Sequence, residues 1–211
     1  YCSNNTICGT QFAAAPASSA PVICDMSSDM FSRPIDWSAH AMTYAGAQKN
    51  LGPAGTVLVV ICKDLLAQCR DGLAPLLSYP AMAEKGSRLN TPPTFGIYLM
   101  GQVFKWIKDR GGLAAMAEHN EAKGAHVYDA LRERSDAFSL VAREGSRSNM
   151  NITFRTTAAG ADAAFLAAAA DAGMSGLKGH RSVGGLRASI YNAFPEEGCK
   201  QLAQFIREWN G

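Results

Sequence analysis

The chain has 211 residues, 47% of them apolar, and a formal net charge of +2. This length and apolar content suffice for a packed core. Because the charge is close to zero and there is no run of like charges, electrostatics favours neither nucleic acid nor a membrane surface as a partner. The longest apolar run, residues 55–62, is far shorter than the roughly 20 residues that a membrane-spanning helix needs. The composition predicts a soluble globular protein.

The six cysteines are scattered, with neither CxxC spacing nor a dense framework. Several lie in apolar runs, where a free thiol behaves as a small hydrophobe. This pattern predicts reduced thiols, no metal site and a cytoplasmic or organellar location. The chain also begins at Tyr1 without an initiator methionine or a signal-peptide pattern, so we expect a fragment of a longer protein.

Three short apolar runs in the first third of the chain predict strands, at residues 21–24, 41–45 and 56–61. They are continuously apolar or small rather than alternating, which is typical of strands buried on both faces of an α/β sheet. The segment between the second and third runs is too short for a parallel crossover. We therefore predict a mixed, mainly parallel sheet.

The second half alternates helical and strand patterns. Residues 93–110 predict a long, largely buried helix that ends at a glycine pair, and 113–134 predict a second helix with Met116, Val127 and Leu131 in the core. The remaining predicted elements are strands at 150–155 and 186–191, and helices at 161–172 and 196–209. We assign 1–95 to part of a large domain, 96–111 to a connecting helix and 112–211 to a small C-terminal α/β domain.

Two charged residues follow neighbouring predicted strands. Asp25 ends the first apolar run, and Lys49 follows the second in small, uncharged surroundings. A lysine held by a rigid turn can act as a neutral amine and form a Schiff base, and a carboxylate can keep a cofactor ring nitrogen protonated. The ends of parallel strands form ligand crevices in α/β folds, so the pair can face one crevice. The alternative is that Asp25 caps a turn with Ser27 and Ser28 while Lys49 is a solvated loop lysine.

Five sequence blocks resemble the phosphoserine aminotransferase family. In chain order they cover residues 25–36 (DMSSDMFSRPID), 44–50 (YAGAQKN), 90–95 (NTPPTF), 176–185 (GLKGHRSVGG) and 187–192 (RASIYN). The resemblance runs along the whole chain but matches only the C-terminal part of that family's polypeptide. It implies a pyridoxal-phosphate-dependent transferase of fold type I.

The resemblance also implies roles for individual residues at the cofactor. Lys49 would form the Schiff base with pyridoxal 5′-phosphate, Asp25 would pair with its ring nitrogen, and Thr6 would hydrogen-bond its phenolic oxygen. Gln48 would contact the phosphate, and Asn90 and Thr91 would reach the phosphate of a neighbouring subunit, which makes the active site the property of a homodimer. Asn5 departs from the acidic residue that the family usually has before the threonine.

The implied substrate residues lie late in the chain. Arg187 would hold the substrate α-carboxylate in a bidentate fork. His180 and Arg181 would bind the phosphate of phosphoserine or the side-chain carboxylate of glutamate; alone, His180 would more simply be a helix-end or core histidine. The implied reaction, in serine biosynthesis, transfers the amino group of L-glutamate to 3-phosphohydroxypyruvate, giving O-phospho-L-serine and 2-oxoglutarate with ping-pong kinetics.

Several of the family's cofactor and substrate groups lie in an N-terminal half that this sequence does not include. We therefore expect the 211-residue chain alone to be inactive or a poor catalyst and to expose sheet edges and apolar helix faces. Two alternatives stay open. One is a non-catalytic dimerising fragment, and the other is a related aminotransferase with a different oxo-acid substrate.

Overall fold

The structure is a computed structural model that describes residues 1–210. Its strands are β1 (Asn4–Asn5), β2 (Thr10–Gln11), β3 (Ile23–Asp25), β4 (Met42–Gly46), β5 (Val57–Ile61), β6 (Phe138–Leu140), β7 (Asn151–Thr156) and β8 (Leu186–Ser189). Its α-helices are α1 (Lys63–Ala67), α2 (Tyr79–Glu84), α3 (Thr94–Asp109), α4 (Gly112–Glu133), α5 (Ala161–Asp171) and α6 (Glu196–Glu208). The predicted α/β class is confirmed. Sequence patterns missed the hairpin of β1 and β2 and the strand β6, which are too short to show a period.

The first three-stranded sheet has the order β3-β4-β5. Strand β3 pairs parallel with β4, placing Asp25 opposite Tyr44, whereas β4 and β5 form an antiparallel hairpin. The sheet is mixed, as predicted, but these strands show no parallel majority. The prediction that β5 is buried on both faces is wrong for this chain, because β5 is an edge strand on which Val57 is 61% exposed.

Helix α3 forms where the sequence predicts it but is less buried than expected. Met100 and Ile107 are buried, while Phe95 and Tyr98 are 71% and 60% exposed. Nothing within residues 1–210 covers that side of the helix. Helix α4 agrees with the prediction, and its Met116, Val127 and Leu131 are buried.

The second sheet, β6-β7-β8, is antiparallel and packs against α4, α5 and α6. An aromatic group fills the space between the sheet and the helices, with Phe138, Phe154 and Phe165 in mutual edge-to-face contact. This core draws its buried residues from positions 127–209, and a separate cluster draws its own from positions 24–100. The exact domain bounds remain a prediction.

Buried polar contacts join the two parts of the chain. Asn4 Nδ2 donates to Ser28 Oγ over 2.8 Å and to Asn151 Oδ1 over 2.9 Å. Hydrogen bonds of this kind are directional, so they fix the hairpin of β1 and β2 relative to β7. None of the helices within residues 1–210 has the length and apolarity to cross a membrane.

Candidate active site

Lys49 lies on the tight turn that follows β4. The turn is closed by hydrogen bonds from the Leu51 and Gly52 amides to the Ala47 carbonyl, over 3.0 and 2.8 Å. The Lys49 side chain is partly buried, and its Nζ donates to Thr6 Oγ1 over 2.8 Å. Lys49 is therefore held by a specific contact with a second segment of the chain, unlike a solvated loop lysine.

Asp25 ends β3, beside the strand that leads to Lys49, because β3 and β4 are parallel and their carboxyl ends share one edge of the sheet. Its Oδ1 accepts a hydrogen bond from the Ser27 amide over 2.8 Å, so the turn-capping interpretation is also realised. The negative charge of Asp25 is the main cause that raises the pKa of the neighbouring Tyr44 phenol. The carboxylate thus caps a turn and places a negative charge at the sheet edge.

Thr6 is positioned by the turn of the hairpin that joins β1 to β2. Asn5 Oδ1 accepts hydrogen bonds from the amides of Ile7 and Cys8, each over 2.9 Å. The Cys8 carbonyl in turn accepts one from Thr153 Oγ1 of β7 over 2.8 Å. Asn5, noted from sequence only as a departure from a family pattern, therefore shapes the turn that presents Thr6.

Arg187 of β8 approaches the same hairpin from the C-terminal part of the chain. Its Nη1 donates to the Thr6 carbonyl over 3.3 Å. Its Nε is buried and has no hydrogen-bond partner within residues 1–210. A buried donor without an acceptor is unfavourable, so this guanidinium can gain stability from a bound anion.

The other residues predicted from sequence do not contact Lys49, Thr6 or Arg187 by hydrogen bonds in the described chain. His180 Nδ1 pairs with Ser182 Oγ over 2.7 Å, in a loop where the Gly179 amide donates to the Gly185 carbonyl, and Arg181 is exposed. The Gln48 side chain is exposed and lies over the Gly46 backbone. Asn90 and Thr91 are exposed in the bend before α3.

Sequence reasoning missed four buried polar residues between the two parts of the chain: Asn50, Asn120, Asn192 and Lys123. Asn50 and Asn192 lie within the recognised blocks, next to or close after predicted site residues, but nothing in their spacing indicated that they meet. Asn120 and Lys123 lie on one face of α4, three residues apart. Polar residues three positions apart on the apolar face of a predicted helix were the sequence signal that could have indicated Asn120 and Lys123.

The arrangement joins Lys49 and Arg187 through Thr6 and places Asp25 on the strand beside the one that leads to Lys49, which gives three groups of complementary chemistry. Lys49 supplies a primary amine, Asp25 a carboxylate, and Arg187 a guanidinium with a free donor. A primary amine can form a Schiff base with an aldehyde, and the guanidinium can bind a carboxylate. Within residues 1–210 there is no cluster of three or more histidine, cysteine or acidic side chains that could hold a metal ion.

Comparisons with known proteins agree with this chemistry. Residues 1–202 match the family model described as aminotransferase class-V. The chain is 50% identical over 207 residues to the phosphoserine aminotransferase of Desulfotalea psychrophila, covering 98% of this chain and 57% of that protein. It is 48% identical over 207 residues to the phosphoserine aminotransferase of Geobacillus kaustophilus, covering 98% and 58%.

Solved structures show the same fold. The phosphoserine aminotransferase from Bacillus circulans subsp. alkalophilus superposes with a TM-score of 0.94 at 47% identity, covering 97% of this chain and 57% of that one. The pyridoxal-phosphate-bound enzyme from Trichomonas vaginalis superposes with a TM-score of 0.93 at 40% identity, covering 99% and 59%. The chain thus spans a little more than half the length of these relatives. The sequence match, the shared fold and the lysine site together show that the chain belongs to the class-V aminotransferase family.

Proposed function

We propose that the protein is a phosphoserine aminotransferase, of which this chain forms the C-terminal part. The observation that carries the proposal is the meeting of Lys49 and Arg187 at one residue, Thr6; the Asp25 carbonyl accepts a hydrogen bond from the Ser3 amide, in the segment that leads to Thr6. The identities of 45–50% to phosphoserine aminotransferases over nearly the whole chain support the same reaction. That reaction is the transfer of the amino group of L-glutamate to 3-phosphohydroxypyruvate.

The residues present fit pyridoxal 5′-phosphate. Lys49 would hold the cofactor aldehyde, Asp25 its ring nitrogen, Thr6 its phenolic oxygen and Gln48 its phosphate. When bound, the cofactor supplies an electron sink for the bond broken at the substrate α-carbon. Lys49 would carry the proton from that carbon, because a primary amine that holds the cofactor aldehyde can act as a base once it is released.

Arg187 would hold the substrate α-carboxylate, since its unpartnered Nε and the adjacent Nη2 lie on one side of the guanidinium and can form a two-point contact while Nη1 stays on the Thr6 carbonyl. His180 and Arg181 would bind the phosphate or side-chain carboxylate. The glycine-flanked loop that carries them leaves Arg181 exposed and free to turn towards an anion.

We further propose a homodimer with shared sites, in which Asn90 and Thr91 reach the cofactor phosphate of the neighbouring subunit. Their exposure and the exposed apolar side of α3, with Phe95 and Tyr98, support a covered surface there. The 211-residue chain alone would be a poor catalyst, because its match covers only 57% of the length of a phosphoserine aminotransferase.

A related aminotransferase with a different oxo-acid substrate is the rival that shares this geometry. The pair of His180 and Arg181 favours a doubly charged phosphate over a small neutral side chain. A non-catalytic dimerising fragment is the rival of a different class. The presence of Asp25, Lys49 and Arg187, each held by a hydrogen bond, favours the enzyme.

The decisive experiment is an absorbance spectrum of the chain with added pyridoxal phosphate, before and after borohydride, followed by mass spectrometry of the reduced peptides. The proposal expects a Schiff-base band and cofactor attached to Lys49, with no attachment in Lys49→Arg and unchanged attachment in the control Lys178→Arg. Random attachment to several lysines, or no band, would favour the non-catalytic fragment. Addition of phosphoserine and of alanine to the loaded protein then separates the two aminotransferase candidates by which amino acid shifts the band.

A further inference from the structure

Three consecutive carbonyl groups between the two parts of the chain each accept a hydrogen bond from a different buried asparagine. Met30 O accepts from Asn50 Nδ2 over 2.9 Å, Phe31 O from Asn192 Nδ2 over 2.9 Å, and Ser32 O from Asn120 Nδ2 over 3.1 Å. Phe31 has φ of 59°, in the left-handed region that a bulky residue rarely adopts. Such strain persists only where the surroundings impose it, which marks this turn as a structurally constrained position.

The asparagines are also bonded to one another. Asn50 Oδ1 accepts from the Asn192 amide over 2.9 Å, and Asn192 Oδ1 accepts from Asn120 Nδ2 over 2.8 Å. On the other side of the peptide group between Tyr191 and Asn192, Lys123 Nζ donates to the Tyr191 carbonyl over 2.7 Å. We call Asn50, Asn120 and Asn192 the asparagine bridge. The peptide at Asn192 is held on both sides, so it has little freedom to move relative to Asn50.

The asparagine bridge connects the segment that carries Lys49 to the segment that carries Arg187. Asn50 directly follows Lys49 in the chain, and Asn192 lies five positions after Arg187, three residues beyond the end of β8. Lys49 and Arg187 both contact Thr6 as well. Two separate connections, one through Thr6 and one through the bridge, therefore link the lysine to the arginine and close a ring of contacts.

We infer that the asparagine bridge positions Lys49 relative to Arg187, with Asn50 as its central positioning residue. Part of this inference, its catalytic consequence, rests on the proposed function; the positioning itself is a property of the chain. An apolar contact would fill the same space without direction, whereas amide hydrogen bonds define one orientation between the segments they join. Asn50 would set the distance between the amine that holds the cofactor and the guanidinium that holds the substrate.

The first test needs no cofactor. The chain is labelled under native conditions with acetic anhydride for lysine and phenylglyoxal for arginine, and labelling at Lys49 and Arg187 is quantified by mass spectrometry against the exposed Lys85 and Arg88. In Asn50→Ala both rates should rise by about fivefold, the factor equivalent to one hydrogen bond of typical net strength. Asn50→Asp keeps the acceptor for the Asn192 amide and should change them less. The control is Asn210→Ala, at an exposed residue, which should change neither rate.

All variants are labelled well below their unfolding midpoints, so that lower stability alone does not raise the rates. Unchanged labelling at Lys49 and Arg187 in a folded Asn50→Ala chain would overturn the inference and leave the asparagine bridge a purely stabilising contact. If Asn50→Ala does not fold, Asn50→Asp and Asn120→Ala decide in its place, because each removes one donor and keeps the contact between Asn50 and Asn192. Unchanged labelling in both would overturn the inference equally.

The second test uses the complete protein with bound cofactor. Asn50→Ala should lower kcat for the glutamate half-reaction by about fivefold with little change in cofactor affinity, because the lysine and arginine are displaced while the cofactor contacts remain. A loss of cofactor affinity with unchanged kcat would contradict the inference. If the unaltered protein attaches no cofactor to Lys49, the proposed function fails, while the labelling experiment still decides whether the asparagine bridge positions the two side chains.

Discussion

Lys49 Nζ donates a hydrogen bond to Thr6 Oγ1 over 2.8 Å, while the backbone carbonyl of the same threonine accepts one from Arg187 Nη1 over 3.3 Å. One residue therefore contacts a lysine 43 positions away and an arginine 181 positions away in the chain. Because the hairpin that carries Thr6 is bonded to Ser28 through Asn4 and to Thr153 through Cys8, it belongs to both parts of the fold. This contact gives the candidate site its geometry before any ligand binds.

Replacing the Thr6 hydroxyl by a methyl group should separate its two contacts. Thr6→Val removes the acceptor for Lys49 but keeps the carbonyl for Arg187, so labelling of Lys49 should rise while that of Arg187 stays the same. The free energy of unfolding should fall by about 1 kcal/mol, the usual net value of one hydrogen bond. Competitive labelling and urea unfolding measure the two effects. Thr6→Ser keeps the hydroxyl and is the matched control; equal labelling of Lys49 in both variants would contradict the prediction.

Gly9 occupies a position where a side chain has no space. Its φ is +66°, and an added Cβ would lie 2.6 Å from the Asn151 carbonyl oxygen. Gly9→Ala should therefore destabilise the protein by about 3 kcal/mol, combining the left-handed conformation with overpacking against backbone. Gly173→Ala has φ of +80° but open space around the new Cβ, so it should cost only about 1 kcal/mol. Equal midpoints for the two variants in urea would show that the hairpin can move away from β7.

Changing Arg187 to lysine should weaken substrate binding although the charge is kept. A lysine offers a single point of contact where the guanidinium offers a planar fork, so we expect KM for glutamate in the complete protein to rise by at least about tenfold. The spectrum of the bound cofactor should stay the same. Arg88→Lys, at an exposed arginine, is the control. An unchanged KM would place the α-carboxylate site elsewhere.

Lys123 should make stability depend on pH in the alkaline range. Its side chain is fully buried, and desolvation is the main cause that lowers its pKa from 10.5 to about 8. Between these two values the unfolded chain binds more protons than the folded one, so the Lys123 contribution to stability rises with pH from about 8 to 10.5 and is smallest below pH 8.

Urea unfolding of the unaltered chain and of Lys123→Met across this range gives the contribution of Lys123 together with its interaction with Cys199, because titrating groups that do not interact with Lys123 cancel in the difference. The advantage of the unaltered chain over the variant should grow as the pH rises. A difference that is constant between pH 8 and 10.5 would show that hydrogen bonds to the carbonyls of Tyr191, Asn192 and Phe194 fully offset the desolvation of the ammonium.

Much of the fold was predictable because local patterns decide it. The helix over residues 112–133 and the strand at 151–156 follow from hydrophobic periodicity, and the short segment between β4 and β5 requires an antiparallel pair. Burial of β5 and α3 was not predictable in the same way. An apolar run indicates that a surface tends to be covered, but whether a covering partner is present is not a local property.

For the site, the sequence by itself determined which chemical groups the chain offers. Lys49 and Asp25 follow two neighbouring strands, and the resemblance to the family indicated Thr6, Arg187 and the loop of His180 and Arg181 as candidates. The tertiary structure alone decided that Thr6 joins Lys49 to Arg187 and that Asn50 meets Asn192 across 142 positions. Hydrogen bonds between segments so distant in sequence carry no periodic pattern, because they depend on how two separately packed cores come together and on which buried polar groups must then be paired.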